Sequence, residues 1–141
     1  MYRIRIYRDR CIGCLTCLTA CVVSHQTESG DARNRVVIDS ETTPAPIFCR
    51  HCDKPECTFT CMTGAMHKNP ETGFVEYDKD HCASCYMCIM SCPFGILKYD
   101  SIRQKEIMKC NMCVHRSEDG KTPMPMCVEK CPMHAITLVE I

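Results

Sequence analysis

The sequence lacks the features that mark several large classes of protein. It contains no apolar run of about 18 residues, so no segment predicts a helix that spans a bilayer. Its first ten residues, Met1 to Arg10, hold no apolar stretch of the kind found in secretion signals. We therefore expect a soluble protein without a membrane span, located in the cytoplasm, where thiols stay reduced.

The chain also has no charge bias and none of the usual enzyme motifs. It carries 17 Lys and Arg against 17 Asp and Glu, a formal net charge of zero. Nucleic-acid-binding domains are normally basic, so we expect no nucleic-acid partner. The sequence offers no phosphate-binding glycine loop, no flavin or nicotinamide signature and no paired nucleophile and base. These absences predict a protein that is not itself an enzyme.

Cysteine, in contrast, is abundant, with sixteen in 141 residues. This exceeds the level of about 8–10% at which a short chain is read as held together by disulfides or metal. The length suits one compact domain, in which metal clusters would replace much of the apolar core. A secreted disulfide scaffold is the alternative, and the missing secretion signal argues against it.

The cysteines form four runs with recurring spacing. The third run is C-x2-C-x2-C-x3-C-P, the pattern of a bacterial [4Fe-4S] site, and the first repeats it without the proline. The second has two extra residues in its middle, and the fourth has thirteen residues between its two pairs. The runs are Cys11, Cys14, Cys17 and Cys21; Cys49, Cys52, Cys57 and Cys61; Cys82, Cys85, Cys88 and Cys92; and Cys110, Cys113, Cys127 and Cys131.

Two alternatives concern ligands within these runs. Taken alone, the two separated pairs of the fourth run would suit a zinc ion, so a zinc-stabilised interaction module is a competing hypothesis. Three neighbouring cluster-type runs and the proline after Cys131 favour iron and sulfide there instead. His51 lies inside the second run, but four cysteines already complete that site. We expect it beside the ligands or at the surface.

Short strands and hairpins are expected to frame the runs. Tyr2 to Tyr7 alternates apolar and basic residues, and Ala135 to Ile141 is rich in β-formers, so we predict that these two segments pair. Turn formers within residues 62–81 predict a hairpin between the second and third runs. Residues 95–109 would form a second hairpin, although residues 101–109 are also compatible with a helical turn.

Other predictions concern the segment between the first and second runs. Residues 18–23 continue the first run as a short helix, and the polar residues 24–34 predict a surface loop. Val36 to Ile38 is a short β-branched segment. Pro44 and Pro46 are expected to prevent regular structure before the second run.

The hairpin and the terminal strands favour one pairing of the runs. The hairpin would bring the second and third runs together, and the terminal strands flank the first and fourth. We therefore predict an α+β fold made of two nested bacterial ferredoxin-like modules in a single domain, residues 1–141. The inner module would be residues 48–104, and the outer module residues 1–47 plus 105–141.

In two-cluster ferredoxins the fourth cysteine of each run ligates the other cluster. If the fourth cysteines cross in this way, every cysteine is used and no reactive thiol remains. The inner sets are then Cys49, Cys52, Cys57 and Cys92, and Cys82, Cys85, Cys88 and Cys61. The outer sets are Cys11, Cys14, Cys17 and Cys131, and Cys110, Cys113, Cys127 and Cys21.

Several local motifs, spread over essentially the whole chain, resemble one family. They are Cys49-Arg-His-Cys52, Pro55-Glu-Cys57, Gly64-Ala65, Gly73-Phe-Val75, Cys92-Pro-Phe-Gly95 and Lys109-Cys-Asn-Met-Cys113. They look like the signatures of the four-cluster [4Fe-4S] ferredoxin-type subunits of the dimethyl sulfoxide reductase, formate dehydrogenase and formate hydrogenlyase type. In size the chain is closest to the iron-sulfur subunit associated with carbon monoxide dehydrogenase.

The resemblance implies the nested fold, the crossed ligation and four [4Fe-4S] clusters. It also implies a role in a hetero-oligomeric complex, where the protein passes single electrons between a catalytic oxidoreductase subunit and a second redox protein. That catalytic subunit would be a carbon monoxide dehydrogenase, a formate dehydrogenase or a hydrogenase. The alternatives are a freely diffusing polyferredoxin and an iron-sulfur enzyme with an open iron.

Overall fold

The computed structural model describes residues 1–39, 41–102 and 106–141. They form a small α+β structure of short strands and helices. The strands are β1 (Tyr2–Ile6), β2 (Arg35–Ile38), β3 (Pro44–Ile47), β4 (Met66–Lys68), β5 (Val75–Tyr77), β6 (Lys98–Tyr99), β7 (Ile107–Met108) and β8 (Ile136–Glu140). The helices are α1 (Thr16–His25), α2 (Glu56–Thr60), α3 (Met87–Ser91) and α4 (Met126–Lys130), with single 3-10 turns at Arg8–Arg10, Lys79–His81 and Val114–Arg116.

The two terminal strands pair with each other, which confirms the sequence prediction. β1 and β8 run antiparallel, with Ile4 opposite Leu138 and Ile6 opposite Ile136. Alternation places Ile4 and Ile6 on one face, where both pack against a buried group that includes Ile136. The first and fourth runs are thereby attached to one two-stranded sheet.

Two further hairpins frame the middle of the chain. β4 and β5 pair antiparallel between the second and third runs, as predicted. β6 and β7 also pair antiparallel, with Tyr99 opposite Ile107, which favours the hairpin over the helical turn. Residues 103–105, within that predicted hairpin, lie outside the described residues.

The prediction that prolines prevent regular structure before the second run is wrong. β3 pairs antiparallel with β2, and Pro44 and Pro46 lie opposite Ile38 and Val36. In an antiparallel pair, alternate residues direct their N–H groups away from the partner strand. Two prolines separated by Ala45 remove only N–H groups of that kind, so the strand keeps its pairing at the edge of a two-stranded sheet.

The four helices pack in two pairs, α1 against α4 and α2 against α3. α1 extends beyond the predicted helix, through His25. The following segment is also less exposed than a surface loop, because Ala32 and Asn34 are buried. The predicted surface loop at residues 24–34 is therefore wrong at both ends, because residues 24–25 belong to α1 and the C-terminal end of the segment is buried. The cause is long-range packing, which polar composition does not reveal.

Two small groups of buried residues pack together in the apolar interior. One contains Met66, Val75, Ile96, Leu97 and Ile107, and the other contains Phe48, Cys127 and Ile136. Cysteines of all four runs border one group or the other. Among the described residues, no helix is both long and apolar enough to cross a bilayer.

Candidate iron-sulfur sites

Twelve of the sixteen cysteines line three small cavities, four to each. In every case three cysteines come from one run and the fourth comes from another. The cavities are lined by Cys49, Cys52, Cys57 and Cys92; by Cys61, Cys82, Cys85 and Cys88; and by Cys11, Cys14, Cys17 and Cys131. Apolar side chains such as Ile96 and Leu97, Met66 and Ile107, or Val36 and Ile136 form much of the remaining walls.

The remaining four cysteines are also neighbours. Burial raises the pKa of the Cys127 thiol, and the nearby thiols of Cys110, Cys113, Cys21 and Cys17 raise it further. The Cys113 Sγ lies 3.2 Å from the Ser24 Oγ at the end of α1, which connects the fourth run to the first. Cysteines of the first and fourth runs therefore lie close to one another in this part of the structure.

The geometry of these groups suits a cluster with several metal atoms. None of the sixteen cysteines forms a disulfide. Within the described part of the chain, no three His, Cys, Asp or Glu side chains lie close enough to hold a single metal ion. A cubane of four iron and four sulfide atoms needs its four thiolates spread around a cage, and four cysteines around one cavity match that need.

The four runs share one unusual backbone feature. The residue just before the second cysteine of each run has a positive φ: Gly13 (72°), His51 (44°), Ser84 (57°) and Met112 (58°). Only one of the four is glycine, although this conformation costs other residues roughly 1–2 kcal/mol. The same strained turn at the same position indicates that all four loops fold to serve one geometry.

The fourth cysteine of a run ends a helix in three of the four runs. Cys61, Cys92 and Cys131 are the C-caps of α2, α3 and α4, each in an extended conformation. This conformation turns the chain away from the helix, and proline follows directly after Cys92 and Cys131. Cys21 differs because α1 continues past it, and Cys21 is buried within that helix.

Backbone N–H groups donate to several of the sulfurs. The Met66 N–H donates to the Cys61 Sγ over 3.4 Å, and the Ala135 N–H donates to the Cys131 Sγ over 3.3 Å. The Arg33 N–H donates to the Cys21 Sγ over 3.2 Å. Donors of this kind stabilise negative charge on the sulfur, and they are one of the means by which a protein adjusts a cluster potential.

The surroundings change the acidity of individual thiols in different directions. Burial raises the pKa of Cys17 and of Cys57 to about 11, and that of Cys110 to about 12. Burial also acts to raise the pKa of Cys61, but hydrogen bonds from Met66 and Thr63 outweigh it and lower that pKa to about 7. The buried thiols are therefore protonated near neutral pH until a cationic group replaces the proton.

Sequence reasoning placed His51 beside the ligands or at the surface, and the structure buries it. Its Nδ1 accepts a hydrogen bond from the Val75 N–H at 3.0 Å, and its ring packs on Phe74. Burial and the charge of Lys109 hold the pKa of His51 well below its usual value, so the ring is neutral. His51 thus attaches the second run to the inner hairpin.

Two residues near the cysteines were missed by the sequence analysis. The Asn34 Nδ2 donates to the carbonyl oxygen of Cys17 over 3.2 Å, and the Arg33 guanidinium donates to the carbonyl oxygen of Lys109 over 2.7 Å. Both residues lie in the segment predicted to be a surface loop. No spacing or motif marks them, because their role depends on contacts with distant parts of the chain.

Comparison with known proteins agrees with this site. The probable anaerobic dimethyl sulfoxide reductase chain YnfG of Escherichia coli K12 is 37% identical over 150 residues, covering 96% of this chain and 71% of that protein. Another protein of the same organism, also named as a chain of an anaerobic dimethyl sulfoxide reductase, has the same identity and coverage. An iron-sulfur protein of Rhodospirillum rubrum is 34% identical, covering 94% of this chain and 79% of that one.

The groups of cysteines and these similarities define an iron-sulfur protein of the ferredoxin type. The 4Fe-4S dicluster domain family matches residues 41–141, and the chain belongs to that family. The fold is also similar to a chain of the BamBC active-site complex of benzoyl-coenzyme A reductase. The TM-score is 0.51 at 24% identity, with 99% of this chain and 79% of that chain covered.

Proposed function

We propose that this protein is an electron-transfer subunit that carries four [4Fe-4S] clusters and has no substrate chemistry of its own. It relays single electrons between a catalytic oxidoreductase subunit and a second redox partner. The observation that carries the proposal is the grouping of twelve cysteines, four around each of three separate cavities, with the remaining four near one another. When bound, the clusters supply one-electron carriers at four neighbouring positions.

The ligand sets follow the crossed arrangement. Each of the three cavities combines the first three cysteines of one run with the fourth cysteine of another, which supports crossing. For the remaining set, the thiols of Cys110, Cys113 and Cys21 all raise the pKa of Cys127, which supports their proximity. We therefore propose all sixteen cysteines as cluster ligands in the four crossed sets.

The modules are nested, with residues 48–104 inside residues 1–47 and 105–141. The packing of α1 on α4 and of α2 on α3 supports this division, because each helix pair joins the two runs of one module. The pairing of β1 with β8 and of β4 with β5 supports it in the same way. The two runs that exchange their fourth cysteines are thus the two runs of one module.

The chain's own residues hold the ligands, limit water and supply hydrogen bonds. Apolar side chains around each cavity exclude water, which strengthens every electrostatic effect inside. The N–H groups of Arg33, Met66 and Ala135 donate to sulfurs and favour the more negative, reduced state. Differences among the four surroundings would give the clusters different potentials, as a relay requires.

The relatives support a partner that is a catalytic oxidoreductase. Two similar proteins are named as dimethyl sulfoxide reductase chains of Escherichia coli. A protein of Allochromatium vinosum that is named as a sulfite dehydrogenase subunit is 33% identical, over 89% of this chain and 62% of that one. We propose a hetero-oligomeric complex in the cytoplasm. The alternative of a free polyferredoxin predicts that no oxidoreductase copurifies with the chain.

The first test is the content of iron and acid-labile sulfide in anaerobically purified protein, with spectroscopic typing of the clusters. Four cubanes require about sixteen iron and about sixteen sulfide per chain. About twelve iron with one zinc would assign the fourth run to zinc. Near-zero iron in folded protein would overturn the electron-transfer proposal. Affinity purification from native cells then identifies the oxidoreductase that copurifies.

A further inference from the structure

Lys109 is a buried lysine that lies directly before the first cysteine of the fourth run. Only 3% of its surface is exposed. Its Nζ donates to the carbonyl oxygen of Cys110 over 2.9 Å, and its own carbonyl oxygen accepts from Arg33. Among the described residues, no carboxylate forms an ion pair with it. An ammonium group buried in this way is costly unless an anion lies nearby.

The groups near Lys109 that can become anionic include thiols from two different sets, besides carboxylates such as Asp100 and Glu106 that line a wider cavity on another side of the lysine. Lys109 lines the cavity of Cys49, Cys52, Cys57 and Cys92, and it is bonded to Cys110 through the backbone. The Lys109 Nζ donates to the carbonyl oxygen of Cys110 over 2.9 Å, so the ammonium group also lies beside the fourth run. The lysine therefore lies between an inner set and an outer set.

Other cations near the inner cavity are placed differently. The Lys68 Nζ donates to the carbonyl oxygen of Cys52 over 2.9 Å, but Lys68 is only partly buried and lies 3.8 Å from the carboxylate of Asp53. The Arg50 guanidinium stacks over the ring of Phe94, with 4.3 Å between its central carbon and the ring centroid, and Arg50 is exposed. Lys54, in the loop between Cys52 and Cys57, is also exposed. Water screens an exposed charge, so neither residue acts on the cysteines as strongly as a buried charge does.

We propose that Lys109 is a positioning residue that raises the reduction potentials of two neighbouring clusters. These are the cluster held by Cys49, Cys52, Cys57 and Cys92 and the cluster held by Cys110, Cys113, Cys127 and Cys21. The inference rests on the proposed function.

Accepting one electron from the redox partner adds one negative charge to a cluster, and a nearby buried cation stabilises that charge. An electron that passes between the inner and outer modules would then be more stable on these two clusters than on the other two. Lys109 takes no part in ligation and transfers no proton in this role.

The experiment compares three variants of the anaerobic holoprotein. Lys109→Met removes the charge and keeps the length of the side chain, Lys109→Arg keeps the charge, and Lys54→Met is the exposed control in the loop of the second run. Iron and sulfide are counted first. Potentiometric titration followed by electron paramagnetic resonance then gives the potential of each cluster.

We expect Lys109→Met to reduce the equilibrium constant for one-electron reduction at least tenfold at two of the four clusters. This corresponds to a decrease of about 59 mV for each tenfold change. The other two clusters should keep their potentials. Lys109→Arg and Lys54→Met should leave all four potentials close to those of the parent protein.

Several outcomes would overturn the inference. These are unchanged potentials in Lys109→Met, an equal shift at all four clusters, or the same shift in Lys54→Met. If Lys109→Met loses a cluster, Lys109→Gln is measured, because it keeps a hydrogen-bond donor without the charge. Loss of the same cluster in Lys109→Gln would assign Lys109 to assembly instead of tuning. A parent protein with few clusters would instead contradict the proposed function.

Discussion

Gly13 shows how tightly the first cysteine loop fits against a neighbouring strand. Its φ of +72° lies in the left-handed region, and a Cβ at this position would come within 3.3 Å of the Cβ of Pro44 in β3. The equivalent positions of the other runs hold His51, Ser84 and Met112, which accept the same backbone conformation at some cost. Gly13 is therefore needed for two reasons, the backbone conformation and the close approach of Pro44.

We predict that Gly13→Ala destabilises the holoprotein by more than about 1 kcal/mol, because backbone strain and the Pro44 contact add. Gly30→Ala is the matched control, since Gly30 has a φ of +74° and no atom within 4 Å of the added Cβ. The midpoint of urea denaturation under anaerobic conditions measures both. An equal loss of stability in the two variants would mean that the contact with Pro44 contributes nothing.

At the level of secondary structure, much of the fold was predictable from local signals. Alternation in β1 and turn residues between β4 and β5 correctly predicted a pair of terminal strands and a central hairpin. β3 and the length of α1 were not predictable. A strand containing two prolines is stable only because its partner β2 meets the side that keeps its N–H groups, and that side is set by the tertiary structure.

Helix pairs also provide a test of which cysteines share a cluster. If the fourth cysteines cross, Cys61 and Cys88 belong to one cluster, whereas Cys57 and Cys61 belong to two. The double variant Cys61→Ser/Cys88→Ser should then lose one cluster and retain about twelve iron, and Cys57→Ser/Cys61→Ser should retain about eight. Iron analysis with electron paramagnetic resonance distinguishes them. The reverse pattern would mean that each run ligates its own cluster.

On the scale of the whole molecule, the buried apolar residues do not form one large core, and the groups that pack together are small. The two core groups contain five and three buried residues, one of which is itself a cysteine. Outside the paired strands and packed helices, distant segments are joined by single hydrogen bonds such as Arg3 to the carbonyl oxygen of Gly73 over 3.3 Å and the Ile107 N–H to the Tyr77 hydroxyl over 3.2 Å. Bound clusters would then supply much of the folding free energy.

Removal of iron should therefore unfold most of the protein. We expect anaerobic treatment with an iron chelator to abolish the far-ultraviolet circular dichroism of the short helices and the hydrogen-exchange protection of β1 and β8. Reconstitution with iron and sulfide should restore both. A sample treated with the chelator already saturated with iron is the control. An iron-free protein that retains its spectrum and its protection would show that the apolar core is sufficient.

The sequence by itself determined the kind of site and the local structure around it. The spacing of cysteines within a run is a property of a few neighbouring residues, so the cluster type and the number of runs follow from the chain alone. Alternation and turn chemistry are local as well, and they determined the terminal strands and the central hairpin.

Only the tertiary structure decided which residues meet across long distances. The grouping of thiols around each cavity, the buried Asn34 and the position of Lys109 between two sets all depend on how the segments pack. Burial and long-range contact turn a polar loop residue, Asn34, into a support for a cysteine run and exclude water from the side chain of Lys109. Such effects arise from the low dielectric of a packed interior, which no sequence spacing encodes.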